Sequence, residues 1–145
     1  MSISVSQLLN NKGNQIHTVS PEATVFEAIK LMSSLGVGAL LVLEGNRLVG
    51  VISERDYTRK VILKGRSSAS TQVQEIMTNK VICVSRDNNI EECMHLMNEN
   101  HIRHLPVLEK NMVVGVITIM DVIKSLLSEK EFMIEQLEHC IAGNV

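Results

Sequence analysis

Two short strings of the chain carry the residue types of a ligand site. Ser53 is followed three residues later by Asp56, and Thr118 is followed three residues later by Asp121. A hydroxyl and an acid at this spacing predict a helix cap, and the acid suits the positive end of the helix. The same groups could also bind a ligand, because a carboxylate accepts both hydroxyls of a ribose and helix N–H groups donate to phosphate. Capping and binding are compatible, so both interpretations stand.

Basic residues cluster in sequence around the first string. Arg55 and Arg59 are four residues apart and share a helix face, while Lys60 and Arg66 follow in the same helix and the next loop. These cations predict a phosphate-binding arm, with a solvated basic surface as the alternative. At the second string Met120 stands at the position of Arg55, so this arm is absent there.

The chain is an internal duplication. Residues 18–62 align with residues 83–127 at an offset of 65 and without a gap, and the string Val-Gly-Val-Ile occurs at both 49–52 and 114–117. A unit of roughly 60 residues is marginally stable alone, so each copy is expected to bury its core with the help of its twin. A site in one copy is therefore expected to have a counterpart in the other.

Each copy predicts the same α/β order, which is β-α-β-β-α. Thr24 lies three residues before Glu27, and Asn89 three before Glu92, which are capping-box spacings that open a helix. Gly36 then ends the first helix. Dense apolar runs separated by short turns predict buried strands, and the second helix of each copy begins at Ser53 or Thr118. The predicted strands cover residues 16–19, 38–43 and 48–52 in copy one, and 81–84, 103–108 and 113–117 in copy two.

The domain organisation follows from the repeat. Residues 1–63 form copy one, the small polar residues 64–72 a linker, 73–128 copy two, and 129–145 a C-terminal amphipathic helix and tail. Residues 73–77 resemble residues 5–9 at an offset of 68, which extends the repeat upstream. Met133, Leu137 and Ile141 are spaced by four, with Cys140 alongside, and predict a helix face that docks on another surface.

Composition excludes several classes of function. The formal net charge is −2, the chain has two Phe, one Tyr and no Trp, and neither value suggests a nucleic-acid partner. Three cysteines without a pairing motif predict reduced thiols, and the start of the chain lacks a secretory signal, so we expect a cytoplasmic protein. No apolar run approaches about 18 residues, so no membrane partner is expected. No nucleophile elbow, Walker lysine loop or dinucleotide fingerprint predicts an enzyme.

The repeated string Gly-Val-Ile-Ser/Thr-x-x-Asp, at 50–56 and 115–121, is similar to the signature of CBS domains. The whole chain resembles a tandem CBS pair, or Bateman module, of the stand-alone type. The resemblance implies two β-α-β-β-α repeats packed through their sheets with pseudo-twofold symmetry, plus a C-terminal helix. It implies a regulatory homodimer without catalysis or a required cofactor, which binds AMP, ADP, ATP or NAD(H) between the copies and signals to a separate, unidentified enzyme.

The resemblance also implies further site residues. Basic residues at the entry of the copy-two strand would reach the phosphate of the second cleft, so the two clefts are expected to differ, with Arg55 and Arg59 in one and Arg103 and His104 in the other. Main chain at the strand entries and the opposing first strands would line the adenine pockets. These residues are Val37, Gly38, Ala39 and Ile102, with Ile16 and His17 near Asp121, and Ile82 and Cys83 near Asp56.

Two other interpretations remain open at the level of the sequence. The first is a structural interaction module whose clefts are vestigial, although Asp at both 56 and 121 favours a binding role. The second is a metal or redox sensor that uses Cys83 and Cys93. Because Cys93 aligns with Ala28, a small buried residue is the simpler explanation for it.

Overall fold

The chain folds as two α/β copies, each built on a β-hairpin and joined by a polar linker. The computed structural model describes residues 3 to 141, except for the side chains at positions 129, 132 and 139–141. In chain order the elements are α1 (Val5–Lys12), β1 (Thr18–Val19), α2 (Val25–Leu35), β2 (Ala39–Glu44), β3 (Arg47–Ser53), α3 (Glu54–Tyr57), a π-helical segment (Thr58–Ile62), α4 (Val73–Ile76), α5 (Ile90–Asn100), β4 (His104–Glu109), β5 (Met112–Thr118) and α6 (Ile119–Ile141).

The two hairpins have the same register. β2 pairs antiparallel with β3, β4 pairs antiparallel with β5, and each pair has a register shift at the same place, between Val42 and Leu43 and between Val107 and Leu108. β3 also contacts β5 across the copies. The predicted duplication at an offset of 65 is therefore confirmed in the strands, including their irregularity.

The first strand of each copy is shorter than predicted. In copy one, only Thr18 and Val19 of the predicted run 16–19 form a strand, which runs parallel to β2. In copy two, Val84 alone bridges to Val107, so the predicted strand 81–84 is wrong for its other three residues. Only a few backbone hydrogen bonds hold the first strand of copy one and the Val84 bridge of copy two against their hairpins. The residues that precede them are not part of a sheet and can therefore line a cleft.

The predicted caps fix the ends of α2 and α5. Thr24 accepts a hydrogen bond from the Glu27 N–H at 3.1 Å, and Asn89 accepts one from the Glu92 N–H at 2.8 Å. Gly36 ends α2 in the left-handed conformation, with φ of 69°. His101 takes the same position after α5 with φ of 53°, which costs a residue with a Cβ more than it costs glycine.

The second helix differs between the copies. α3 is a single α-helical turn that continues into the π-helical segment, whereas α6 runs without interruption for 23 residues. The tail helix predicted to start at residue 129 is thus the continuation of the second helix of copy two. The side chains of Cys140 and Ile141 lie outside the described residues. In the part of the chain that the structure describes, no helix has the length and apolar character needed to cross a membrane.

The short helix that precedes each copy packs into the core of the other copy. Val5, Leu8 and Leu9 of α1 are buried in the core of copy two, and Val73 and Ile76 of α4 are buried in the core of copy one. Apolar residues from two distant parts of the chain complete each core, so neither copy is self-sufficient. The predicted boundaries at residues 63 and 73 therefore separate the copies in chain order only. In the packed structure, α1 belongs to the core of copy two and α4 to the core of copy one.

Two equivalent glycines permit this exchange. A Cβ on Gly115 would lie 2.7 Å from Cδ2 of Leu9, and a Cβ on Gly50 would lie 2.5 Å from Sδ of Met77 and 3.0 Å from the Thr78 carbonyl oxygen. Leu9 and Met77 are equivalent at the offset of 68. These two glycine contacts are therefore counterparts, as the expected pseudo-twofold symmetry predicts.

We expect Gly115→Ala to lower the free energy of unfolding by about 1–3 kcal/mol, because the added methyl overpacks the contact with Leu9. The measurement is urea unfolding followed by circular dichroism. In a Leu9→Ala background the δ-carbons are absent, so Gly115→Ala should cost much less there. An equal cost in both backgrounds would contradict a role for Gly115 in admitting α1.

Candidate functional site

The junction between β3 and α3 holds the first predicted carboxylate in a capping box. Oδ2 of Asp56 accepts hydrogen bonds from the N–H of Ser53 at 2.9 Å and from its hydroxyl at 3.1 Å, and the Asp56 N–H donates to Oγ of Ser53 at 3.2 Å. In addition, the Glu54 N–H donates to the Gly38 carbonyl at 3.0 Å. Two of the N–H groups at this helix start, those of Glu54 and Asp56, therefore already have hydrogen-bond partners within the chain.

The equivalent junction in copy two has the same backbone geometry. Oδ2 of Asp121 accepts the Thr118 N–H at 2.8 Å, and the Asp121 N–H donates to Oγ1 of Thr118 at 3.2 Å. The Ile119 N–H donates to the Arg103 carbonyl at 2.9 Å. The capping interpretation of both strings is thus confirmed, and it leaves the carboxylates in fixed orientations.

A cavity of about 600 Å³ lies between the copies next to Asp56, within the size range of small-ligand sites. Copy one contributes the β3–α3 junction and Gly38, and copy two contributes the segment before its first strand and the turn between α5 and β4. The apolar part of the wall consists of Val51, Val81, Ile82 and Ile102. The cavity therefore combines an apolar wall with a carboxylate.

The rest of the cavity wall is strongly cationic. It has only two acidic side chains, Glu54 and Asp56, against five Lys and Arg side chains, in a chain whose formal net charge is −2. Concentrated positive charge in a cleft attracts anions. The five basic residues are Arg55, Arg59, Lys60, Lys80 and Arg103.

Arg55 also connects the two copies directly. Its Nη1 donates to the carbonyl oxygen of His101 at 3.1 Å. That carbonyl belongs to the residue that ends α5, where a cation is favoured by the helix dipole. A contact between α3 of copy one and the α5 terminus of copy two therefore forms part of the cavity wall.

Asp56 keeps acceptor capacity despite its neighbours. Oδ1 lies 3.2 Å from Nζ of Lys60, which also donates to the Ile76 carbonyl at 2.8 Å. A carboxylate offers about four lone-pair sites. The ribose hydroxyls of a ligand could therefore bind Asp56 while Lys60 stays in place.

Asp121 has a different partner, which comes from the opposite end of the chain. Nζ of Lys12 donates to Oδ2 of Asp121 at 2.6 Å and to the Val116 carbonyl at 2.8 Å. Burial alone would raise the pKa of Asp121, but hydrogen bonds from Lys12 and Thr118 outweigh it and hold that pKa below its ordinary value. Asp121 is therefore an anchor for α1.

His104 is close enough to both carboxylates to be affected by them: it lines the cavity with Asp56, and the charge of Asp121 acts on it. It lines the cavity beside Asp56, and its Cε1 would be 4.0 Å from a Cβ on Gly38. Burial lowers the pKa of His104, and the charges of Lys12 and Arg103 lower it further, against the opposing effect of Asp121. A lowered pKa keeps this imidazole neutral near pH 7, so it can act as a hydrogen-bond donor and acceptor.

The structure brings about half of the predicted site residues together. Ile82 and Asp56 share the cavity, as expected, and Gly38 and Ile102 line the same wall. The predicted residues in the cavity are Ser53, Arg55, Asp56, Arg59, Gly38, Ile82, Ile102, Arg103 and His104, whereas Thr118, Asp121, Ile16, His17, Val37, Ala39, Cys83 and Arg66 are not part of its wall.

The expected division of basic residues between two clefts is wrong. Arg103 and His104 line the same cavity as Arg55 and Arg59, because the turn after α5 meets the start of α3 across the copies. Arg66 is also misassigned, since its guanidinium forms an ion pair with Glu75 at 2.5 Å outside the cavity. Cys83 lines a second, more open cavity next to Arg47 and Asn79.

Eight residues of the cavity wall were not among the predicted site residues, namely Val51, Glu54, Lys60, Thr78, Lys80, Val81, Asn100 and His101. Lys80 directly precedes the apolar run 81–84, and its equivalence to Lys12 at the offset of 68 was the available signal. Lys60 was predicted only as a member of the basic cluster that forms a phosphate-binding arm. His101 was visible only as the residue that replaces the helix-ending Gly36.

The described residues do not favour a metal or redox site. Within residues 3–141, apart from the side chains that are not described, no three His, Cys, Asp or Glu side chains converge to hold a metal ion. Burial raises the pKa of the Cys93 thiol to about 11, assisted by Glu92, and burial also raises the pKa of Cys83. Both thiols are therefore protonated near pH 7, which opposes nucleophilic or redox reactivity.

Comparison with known proteins gives consistent matches. The family model described as the CBS domain matches residues 5–62 and 73–128. A mitochondrial CBS domain-containing protein of Arabidopsis thaliana, CBSX3, is 37% identical over 151 residues, covering 98% of this chain and 73% of its own length. The solved structure of a putative signal-transduction protein with CBS domains from Burkholderia ambifaria is 46% identical, with a TM-score of 0.84 over 87% of this chain and 95% of that one. The CBS-domain structure NE2398 is 39% identical, with a TM-score of 0.84 over 88% and 99%.

We expect Lys12→Met to raise the pKa of Asp121. The free energy of unfolding of this variant should then fall less steeply as the pH is lowered into the acidic range. The ion pair contributes fully above the unfolded pKa of about 4 and is lost as pH falls through the lowered folded pKa. The measurements are the free energy of unfolding between pH 7 and 2 and NMR titration of the Asp121 carboxyl.

Lys80→Met is the matched control, because Lys80 is the equivalent lysine but lines the cavity. It should leave this pH dependence of stability unchanged. An unaltered pKa of Asp121 in Lys12→Met would contradict the assignment of Lys12 as its partner.

Proposed function

The chain belongs to the CBS-domain family and carries two CBS domains in tandem, and from this premise we propose that it binds an adenine nucleotide in the Asp56 cavity. Stand-alone CBS-domain proteins are regulatory or signal-transduction modules rather than catalysts. The observation that carries the proposal is one cavity between the copies that combines Asp56, an apolar wall and five Lys or Arg side chains.

The parts of the cavity suit the parts of a nucleotide. The apolar residues Val81, Ile82 and Ile102 form a slot for the base, and backbone groups beside them can read its edge. The fixed carboxylate of Asp56 accepts the ribose hydroxyls. The cationic side chains then face the phosphates, with charge-assisted hydrogen bonds from arginine.

The charge of the wall favours more than one phosphate. A single phosphate monoester carries about −1.5 to −2 at pH 7, while the basic side chains outnumber the acidic ones by three when histidine is neutral. Among AMP, ADP, ATP and NAD(H), we therefore propose ADP or ATP as the ligand of highest affinity.

Binding between the copies supplies a regulatory mechanism. A nucleotide that contacts Arg55 and Arg103 at once would stabilise one relative arrangement of α3 and the α5 terminus. A ligand shifts a conformational equilibrium only by its difference in affinity for the two states. We propose that a homodimer passes this shift to a separate partner protein in the cytoplasm.

We expect Asp56→Asn to abolish stabilisation by nucleotide while Asp121→Asn retains it. At a concentration 100 times the Kd, a nucleotide stabilises the native state by about 2.7 kcal/mol, which thermal-shift assays detect. Asp121→Asn is a matched control at the equivalent position, although it lowers the baseline melting temperature by removing the partner of Lys12. No response of the wild-type chain to any of the four nucleotides at millimolar concentration would refute the proposed function and favour an interaction module.

We expect Arg103→Met to weaken ATP binding more than AMP binding, by at least about tenfold for ATP, because one charge-assisted hydrogen bond contributes about 1.5–3 kcal/mol. Isothermal titration calorimetry with both nucleotides gives the two Kd values. Arg66→Met is the control, since its partner Glu75 lies outside the cavity. Equal weakening of AMP and ATP would place Arg103 away from the terminal phosphates.

A further inference from the structure

His104 is a half-buried titratable side chain that the proposed nucleotide site does not explain. It begins β4 and pairs with Thr118 at the end of β5, yet its imidazole faces the cavity between the copies. Cε1 of His104 and Oε1 of Glu54 both lie within 4.0 Å of the point where a Cβ on Gly38 would stand. The residue equivalent to His104 at the offset of 65 is Ala39, so copy one has no counterpart of this imidazole.

Charged groups surround His104 from every element that packs near it. Lys12 of α1 and the adjacent Arg103 disfavour a further positive charge, whereas Asp121 at the start of α6 favours one. Lys80 and His101 line the cavity from the rest of copy two. From copy one, α3 and the π-helical segment contribute the remaining charges of the wall, which are those of Glu54, Arg55, Asp56, Arg59 and Lys60.

Bound phosphate would reverse the balance of these charges. In the free protein, burial and then the charges of Lys12 and Arg103 hold the pKa of His104 below its ordinary value, so the imidazole is neutral near pH 7. A phosphate monoester brings a charge of about −1.5 to −2, and a nearby opposite charge favours the protonated imidazole. The pKa of His104 should therefore be higher in the nucleotide complex than in the free protein.

We propose that nucleotide binding in the Asp56 cavity takes up a proton on His104, so that the cavity senses pH together with nucleotide. This inference rests on the proposed function and adds a regulation of the same site. The proton comes from the buffered solvent and remains on the imidazole, and no covalent bond of the nucleotide forms or breaks.

The direction of the pH effect follows from linkage. Binding that takes up a proton strengthens as the pH falls. Above the pKa of the complex, His104 is neutral in both states, and below the pKa of the free protein it is protonated in both. The gain in affinity is therefore confined to the interval between these two values, which begins below the ordinary value of 6.5. Uptake of one proton limits the gain to about tenfold per pH unit.

The first test is NMR titration of the His104 imidazole in the wild-type chain, without nucleotide and with saturating ADP. We expect a higher pKa with ADP bound. An unchanged or lower pKa in the complex would overturn the proposal, and this result requires no substitution that could affect folding.

The second test compares the Kd of ADP for the wild type and for His104→Gln at pH 7.5 and pH 6.0 by isothermal titration calorimetry. Between these pH values the Kd of the wild type should fall about fivefold relative to that of the variant. Protonation of the ADP phosphates is common to both proteins and cancels in this ratio. Circular dichroism reports whether the variant is folded.

His101→Asn is the matched control, because it removes a second imidazole from the same cavity wall. Asparagine tolerates the left-handed conformation of this residue, with φ of 53°. We expect this variant to keep the pH dependence of the wild type. Equal pH dependence in the wild type and His104→Gln, or its loss in His101→Asn instead, would overturn this inference and leave the proposed function intact. Failure of the wild type to bind ADP at either pH would refute the proposed function and this inference with it.

Discussion

The exchange of short helices between the copies is the constraint on which the rest of the structure depends. α1 completes the core of copy two and α4 completes the core of copy one, through Leu9 at Gly115 and Met77 at Gly50. Because each core contains residues from both halves of the chain, the two copies cannot separate without exposing buried leucine, valine and isoleucine side chains. The cavity lies between the copies, so the same exchange holds its walls together.

The capping boxes determine how this cavity can recognise an anion. At the start of α3 the Glu54 and Asp56 N–H groups already have partners within copy one. In the proposed site, phosphate recognition therefore relies on side chains, and the cavity receives these from both copies, with Arg55 on one side and Arg103 on the other. Because the cations of the proposed site come from both copies, its geometry depends on the relative position of the copies. A site built on one helix terminus would not have this dependence.

The sequence predicted the local structure well, because caps, turns and strand periodicity depend on residues a few positions apart. Both Asp side chains, the ends of α2 and α5, and the hairpin turns follow from such signals. Contacts between residues that are far apart in the sequence could not be predicted from it. Lys12 and Asp121 are 109 positions apart, and Arg55 contacts the carbonyl of His101, which is 46 positions away. The wrong division of the basic residues came from the family resemblance, which implied a second cleft for Arg103 and His104, while the fold brings them to the cavity that Arg55 and Arg59 line.

The two copies differ because the equivalent lysines, Lys12 and Lys80, make different contacts. Lys12 and Lys80 stand at matching positions before their copies, yet Lys12 holds Asp121 and the Val116 carbonyl while Lys80 faces the cavity. The pairing of Lys12 ties α1 to copy two and uses one oxygen of the second carboxylate for stability. Lys12 occupies Oδ2 of Asp121, the oxygen that also accepts the Thr118 N–H, whereas at Asp56 the equivalent Lys80 lines the cavity wall and Lys60 contacts only Oδ1. Both copies therefore carry the carboxylate, but Asp121 is paired with Lys12 of α1 while Asp56 lines the cavity between the copies.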